Sequence, residues 1–166
     1  ILLVAKPDDC EKWRRRITER LGMSGLRKLR YSMAIARAYK LDLAQIEDGL
    51  ASLPSPWDSA HLDAVERARE RLLDLLYTRQ EVRDARSHIT QASSAICGCD
   101  GALCRLMELG KGALARQIGA EVIPLAAEMT RQRLAWRRGE GESVAAEARE
   151  TAARGLRLLQ SIRANY

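Results

Sequence analysis

The chain has 166 residues, of which 46% are hydrophobic and 30% charged, and its formal net charge is +6. That composition belongs to an ordinary folded protein with a real core and excludes a disordered chain. The longest purely apolar run, Ile1 to Ala5, is far too short to cross a bilayer and lacks the basic flank of a signal peptide, so a cytoplasmic protein with no membrane partner is expected.

Apolar residues recur at helical spacing nearly everywhere, and strand-like alternation is absent beyond the first five residues. The pattern predicts an all-α fold, an irregular bundle of six or seven helices with one long central helical segment. A single helical domain over residues 1–166 is expected, with residues 1–6 as an extended N-terminal segment. A first helix is predicted from the cap in "KPDDCEK" to Gly22, burying the stripe Trp13, Ile17 and Leu21. "MSG" at 23–25 reads as a break. A second helix, from about Ser24 to Tyr39, then buries Leu26, Leu29, Met33 and Ala36.

A short third helix is predicted from a cap at Asp42 to about Leu53, closed by the two prolines of "LPSPWDS". Residues 59–96 contain neither Gly nor Pro and read as one long helix, or as two with a break near Ser87. "GCDG" at 98–101 reads as the end of that region, with Asp100 capping a helix that carries Leu103, Leu106, Met107 and Leu114. Ile118, Val122, Leu125, Met129 and Trp136 continue an apolar stripe, and Pro124 within it predicts a kink or a fresh start. After the loop "RRGEGES", a last helix from Ser143 towards Tyr166 turns Ala148, Ala152, Gly155, Leu159 and Ile162 inward.

The position of the charge is more informative than its size. Residues 11–30 hold eight bases, Lys12, Arg14, Arg15, Arg16, Arg20, Arg27, Lys28 and Arg30, against Glu11 and Glu19. Their surplus equals the net charge of the whole chain. Concentration of that kind is what contact with phosphates or an acidic partner requires, because dispersed charge produces little local field. With Tyr31 and Arg37 on the same outer face, these residues form the expected nucleic-acid-binding set. A solvated arginine-rich surface is the plainer reading of the same residues. "TRQRLAWRR" at 130–138 is a second basic spot without an acid, although a helix C-terminus also favours such residues.

"MAIARAYKLDLAQIEDGL" at 33–50 has the outline of a DNA-reading helix-turn-helix: Ala36 is the small residue, Ile35, Leu41 and Ile46 the lock. The turn position usually given to Gly is Lys40, which carries strain if its φ is positive. The would-be recognition helix exposes Asp42, Glu47 and Asp48, and carboxylates between phosphate strands are repelled. A structural corner is therefore the stronger expectation.

Other chemistry finds little footing. Cys97, Cys99 and Cys104, with His88 or Cys10, have a C-x-C-x4-C spacing unlike the paired knuckles of structural zinc sites. No Glu precedes His61 or His88 by three residues, which removes a di-iron bundle. The stripe Glu66, Glu70 and Asp74 reads as a solvated face paired with neighbouring arginines rather than a magnesium site. No phosphate loop, dinucleotide fingerprint or nucleophile elbow is present, so neither cofactor, metal nor enzymatic activity is expected. Trp13, Trp57 and Trp136 read as core or interface plugs. The expectation is a non-catalytic basic module, or a small subunit of a larger nucleoprotein complex, that contacts a DNA or RNA backbone without reading sequence. Basic helical subunits of ribonucleoproteins offer an architectural analogy without a shared motif. A protein-binding adaptor or self-associating scaffold, and a helix-turn-helix regulator, are the alternatives.

Overall fold

The computed structural model describes residues 7–52 and 59–166, with side chains from residue 11 and, after the gap, from residue 60. The expected extended segment 1–6, the side chain of Cys10, and Trp57 with the rest of residues 53–58 lie outside the described residues. Among those residues there are six helices and no strand: α1 (Pro7–Ala38), α2 (Ala44–Ala51), α3 (Ser59–Leu76), α4 (Gln80–Glu108), α5 (Gly112–Arg137) and α6 (Gly141–Arg163). The fold is all-α, as the periodicity predicts. Two compact units divide it, residues 1–76 and 77–166.

In the first unit the predicted break at "MSG" does not occur, and α1 is one helix of 32 residues. Gly25 costs the helix about 1 kcal/mol relative to Ala. It is also where α3 comes close, since a Cβ on Gly25 would lie 3.4 Å from Val65 Cγ1. Leu29, Met33 and Ala36 of α1 pack with Leu43, Ile46, Val65 and Leu72, and this core compensates for the glycine.

Continuity has a second effect. Trp13, Ile17 and Leu21, expected inside, are 60%, 53% and 57% exposed. At 100° per residue their stripe lies well over a quarter-turn out of phase with Gly22, Leu29, Met33 and Ala36, so one unbroken helix cannot bury both. Length works the same way. α1 spans about 48 Å and the 18 residues of α3 about 27 Å at 1.5 Å per residue, so α1 outruns the helix that covers it.

The corner after α1 forms where the sequence predicts, but α2 starts at Ala44 with Leu43 at its N-cap, so Asp42 stands one residue before the cap position expected of it. Ala36 is fully buried, with Leu43 and Ile46 beside it, and the Asp42 carboxylate accepts the Ala44 N–H at 3.0 Å. Lys40 has φ +58°. The Leu41 N–H donates to the Ala36 carbonyl at 3.1 Å and the Lys40 N–H to the Arg37 carbonyl at 2.9 Å, the paired bonds of a Schellman motif. α4 and α5 end in the same motif with Gly110 and Gly139 at the equivalent position. Lys40 therefore sits where a Cβ is strained. Lys40→Gly is expected to stabilise the protein by about 0.5–1 kcal/mol, read as a higher urea midpoint at unchanged slope, and a lower midpoint would contradict this account.

The second unit is an up-down-up three-helix bundle. Trp136, at the end of α5, donates its indole N–H to the Val82 carbonyl at the start of α4 at 3.0 Å, so these helices run antiparallel. Arg131 to Glu147 (2.6 Å) and Arg154 to Glu128 (3.0 Å) fix α5 antiparallel to α6. Gln132 donates to Thr151 Oγ1 at 2.8 Å within that interface. Exposed ion pairs of this type contribute well under about 1 kcal/mol each. The apolar seam holds the bundle: Ile118, Val122, Leu125, Met129 and Trp136 of α5 and Ala148, Ala152, Gly155, Leu159 and Ile162 of α6 are all buried, as predicted.

Three further boundaries differ from expectation. The break in 59–96 falls at 77–79, not near Ser87, because the buried residues of α3 (Val65, Leu72, Leu76) and of α4 (Val82, Ala85, Ile89) would sit about a third of a turn apart on a continuous helix. α4 runs straight through "GCDG", so Asp100 caps nothing. Gly98 is there for close approach, since a Cβ would stand 2.9 Å from Leu159 Cδ2. Pro124 neither ends nor restarts α5; it lies on the exposed face, where the carbonyl it leaves unbonded can meet water.

The three thiols separate on α4. Cys97 and Cys104 are exposed and Cys99 is wholly buried against α6. They do not converge, and no group of three metal-ligating side chains occurs among the described residues. Burial pushes the Cys99 thiol above its usual range; nearby Asp100 adds to this and Arg163 opposes it. The unfolded chain then releases the proton first, so stability falls as pH rises past the ordinary thiol value of about 8.5. Cys99→Ala should flatten that decline between pH 8 and 10 in urea denaturation. Parallel curves for parent and variant would remove the effect.

Candidate functional site

All ten residues of the expected binding set lie on α1 and are exposed. The two helices predicted to carry them are one helix. The cations instead run along a single rod. On the helical wheel, Arg16, Arg20 and Arg27 stand opposite the buried stripe with Trp13 and Tyr31, Lys12 and Arg30 flank them on one side, and Lys28 on the other. Trp13 to Tyr31 covers about 27 Å at 1.5 Å per residue. Arg14 and Arg15 lie in line with the buried stripe, but in turns that precede its first buried member, Gly22.

Neutralisation is sparse. Arg15 Nε lies 3.7 Å from Glu19 Oε1 in an exposed i,i+4 pair, and Arg37 pairs with Glu47 of α2. Arg37 thereby serves the corner between α1 and α2 and is set apart from the rest. Among the described residues no carboxylate is within ion-pair distance of Lys12, Arg14, Arg16, Arg20, Arg27, Lys28 or Arg30. Seven cations on one helix keep their field.

Sequence reasoning missed Trp13 as a surface residue. The Arg16 guanidinium carbon lies 5.7 Å from its ring centroid, a cation–π distance that holds an indole face and a cation side by side in solvent. The phase mismatch between Trp13–Ile17–Leu21 and the core stripe was the available signal.

At the α2 corner, Asp42, Gln45, Glu47 and Asp48 are exposed, and Glu47 is tied to Arg37. This surface is acidic and short, in contrast to the α1 face.

The structure thus defines an all-α protein of two helical units, one of which carries an unneutralised cationic rod. No described helix is long and apolar enough to cross a membrane. No family model, curated protein or solved structure matches the chain.

Proposed function

We propose that the protein is a non-catalytic module that binds a nucleic-acid backbone, without reading base sequence, along the outer face of α1, as a small subunit of a larger nucleoprotein complex. The observation that carries this reading is the row of exposed, unpaired cations on one continuous helix. Phosphate contacts need fixed positive charge at helical spacing and no particular base-reading side chain. Trp13 and Tyr31, 60% and 50% exposed on the same face, offer two ring faces on which unpaired bases can stack, which favours single strands over duplex.

The test is a salt titration with random-sequence single-stranded RNA, single-stranded DNA and duplex. Backbone contact makes log affinity fall linearly with log salt, by about 0.7 per phosphate for single strands and 0.9 for duplex. Affinity that is flat with salt, or that differs sharply between sequences, would exclude the reading.

A further inference from the structure

The second unit carries a basic groove of its own, and we infer that the groove between α4 and the end of α5 is a second contact for the phosphate backbone. The inference rests on the nucleic-acid reading of α1 for its ligand class, but on none of the same residues. Residues 85–99 of α4 contain no Asp or Glu, and neither do residues 129–139 of α5. The Arg133–Ser93 and Trp136–Val82 bonds show that antiparallel packing lays these two stretches side by side, with Glu81 and Asp84 beyond their end at the start of α4.

Two arginines from opposite walls are fixed there. The Arg86 guanidinium carbon lies 5.1 Å from the centroid of Trp136, whose ring is almost wholly buried and so cannot turn away. From the other wall Arg133 donates to Ser93 Oγ at 3.1 Å and touches Met129 Sδ at 3.2 Å. Arg83 is exposed one turn before Arg86 and donates to the Gln80 amide oxygen. Among the described residues none of the three is within ion-pair distance of a carboxylate, whereas Arg131 on the α6 side of α5 is paired with Glu147. Arg86 and Ser93 stand seven residues apart, about 10 Å along the groove at 1.5 Å per residue. Held guanidinium groups without a carboxylate in ion-pair contact complement phosphates of a strand.

The experiment uses the full chain and fluorescent random-sequence single-stranded RNA and DNA, with poly-glutamate as an acidic-polypeptide probe. Arg86→Gln with Arg133→Gln is expected to weaken nucleic-acid binding about tenfold near 0.1 M salt and to lower the salt slope by more than one. Thr90→Glu, which sets a carboxylate one turn from Arg86 at an exposed position, is expected to do likewise and covers the case in which the double variant fails to fold. Parent-like binding by Thr90→Glu, or by a folded double variant, overturns the inference, as does loss confined to poly-glutamate. Separation from the α1 reading comes from Arg16→Glu, Arg20→Glu, Arg27→Glu. If that variant binds like the parent while the groove variants lose binding, the α1 reading falls and the groove stands; if it alone loses binding, the reverse holds. A parent that binds neither nucleic acid removes both.

Discussion

Charge reversal at Arg16, Arg20 and Arg27 together is expected to lower affinity for single-stranded nucleic acid about a hundredfold or more near 0.1 M salt. The magnitude follows from counterion release. Three lost phosphate contacts at about 0.7 each reduce the salt slope by about two, and from a 1 M reference that amounts to roughly two decades at 0.1 M. The fold should be untouched, since all three residues are exposed, in no ion pair and opposite the buried stripe of α1, and the one ring that Arg16 touches, Trp13, is itself exposed. Lysine at the same positions should restore most of the affinity, because a point charge suffices for backbone contact. Trp13→Ala separates stacking from charge: it should weaken single-strand binding while leaving the slope unchanged. A triple variant with parent affinity and parent salt slope would show that the rod is only a solvated surface.

Trp136→Ala is expected to destabilise the second unit by about 3–5 kcal/mol. The ring is 3% exposed, its indole N–H satisfies the Val82 carbonyl, and its outer face carries Arg86. Truncation opens a cavity at one end of the bundle and removes the hydrogen bond that ties α5 to α4. Trp136→Phe keeps most of the packing and loses the hydrogen bond, so a cost of about 1–2 kcal/mol is expected. Urea denaturation followed by circular dichroism reads both. If Trp136→Ala costs less than about 1 kcal/mol, the ring does not hold α4 to α5.

Much of this architecture is legible in the sequence, and the misreadings share one cause. The seams Ile118–Trp136 and Ala148–Ile162 keep a constant phase, so they appear correctly without knowledge of the partner helix. The corner at Lys40 is legible because turn chemistry is local. Glycine misleads where its role is to admit another helix: Gly25 and Gly98 read as breaks, yet each lies inside a helix where Val65 or Leu159 approaches. That information resides in the neighbour, about forty and sixty residues away. The real break at 77–79 carries no Gly or Pro and is marked only by a change in the phase of the apolar stripe. For the binding face, the charge surplus is plain in the composition. Its arrangement is not, because it depends on whether α1 is one helix or two, and so does the exposure of Trp13.

The three-residue links Leu109–Lys111 and Arg138–Glu140 join helices that pack directly against each other. Very little chain entropy separates each hairpin from its partner, so the second unit belongs to the topologies that reach the native state in microseconds to milliseconds. Such a unit spends little time with its hydrophobic seam open to other chains. It can become a docked, finished part soon after it leaves the ribosome, ahead of any larger particle it joins.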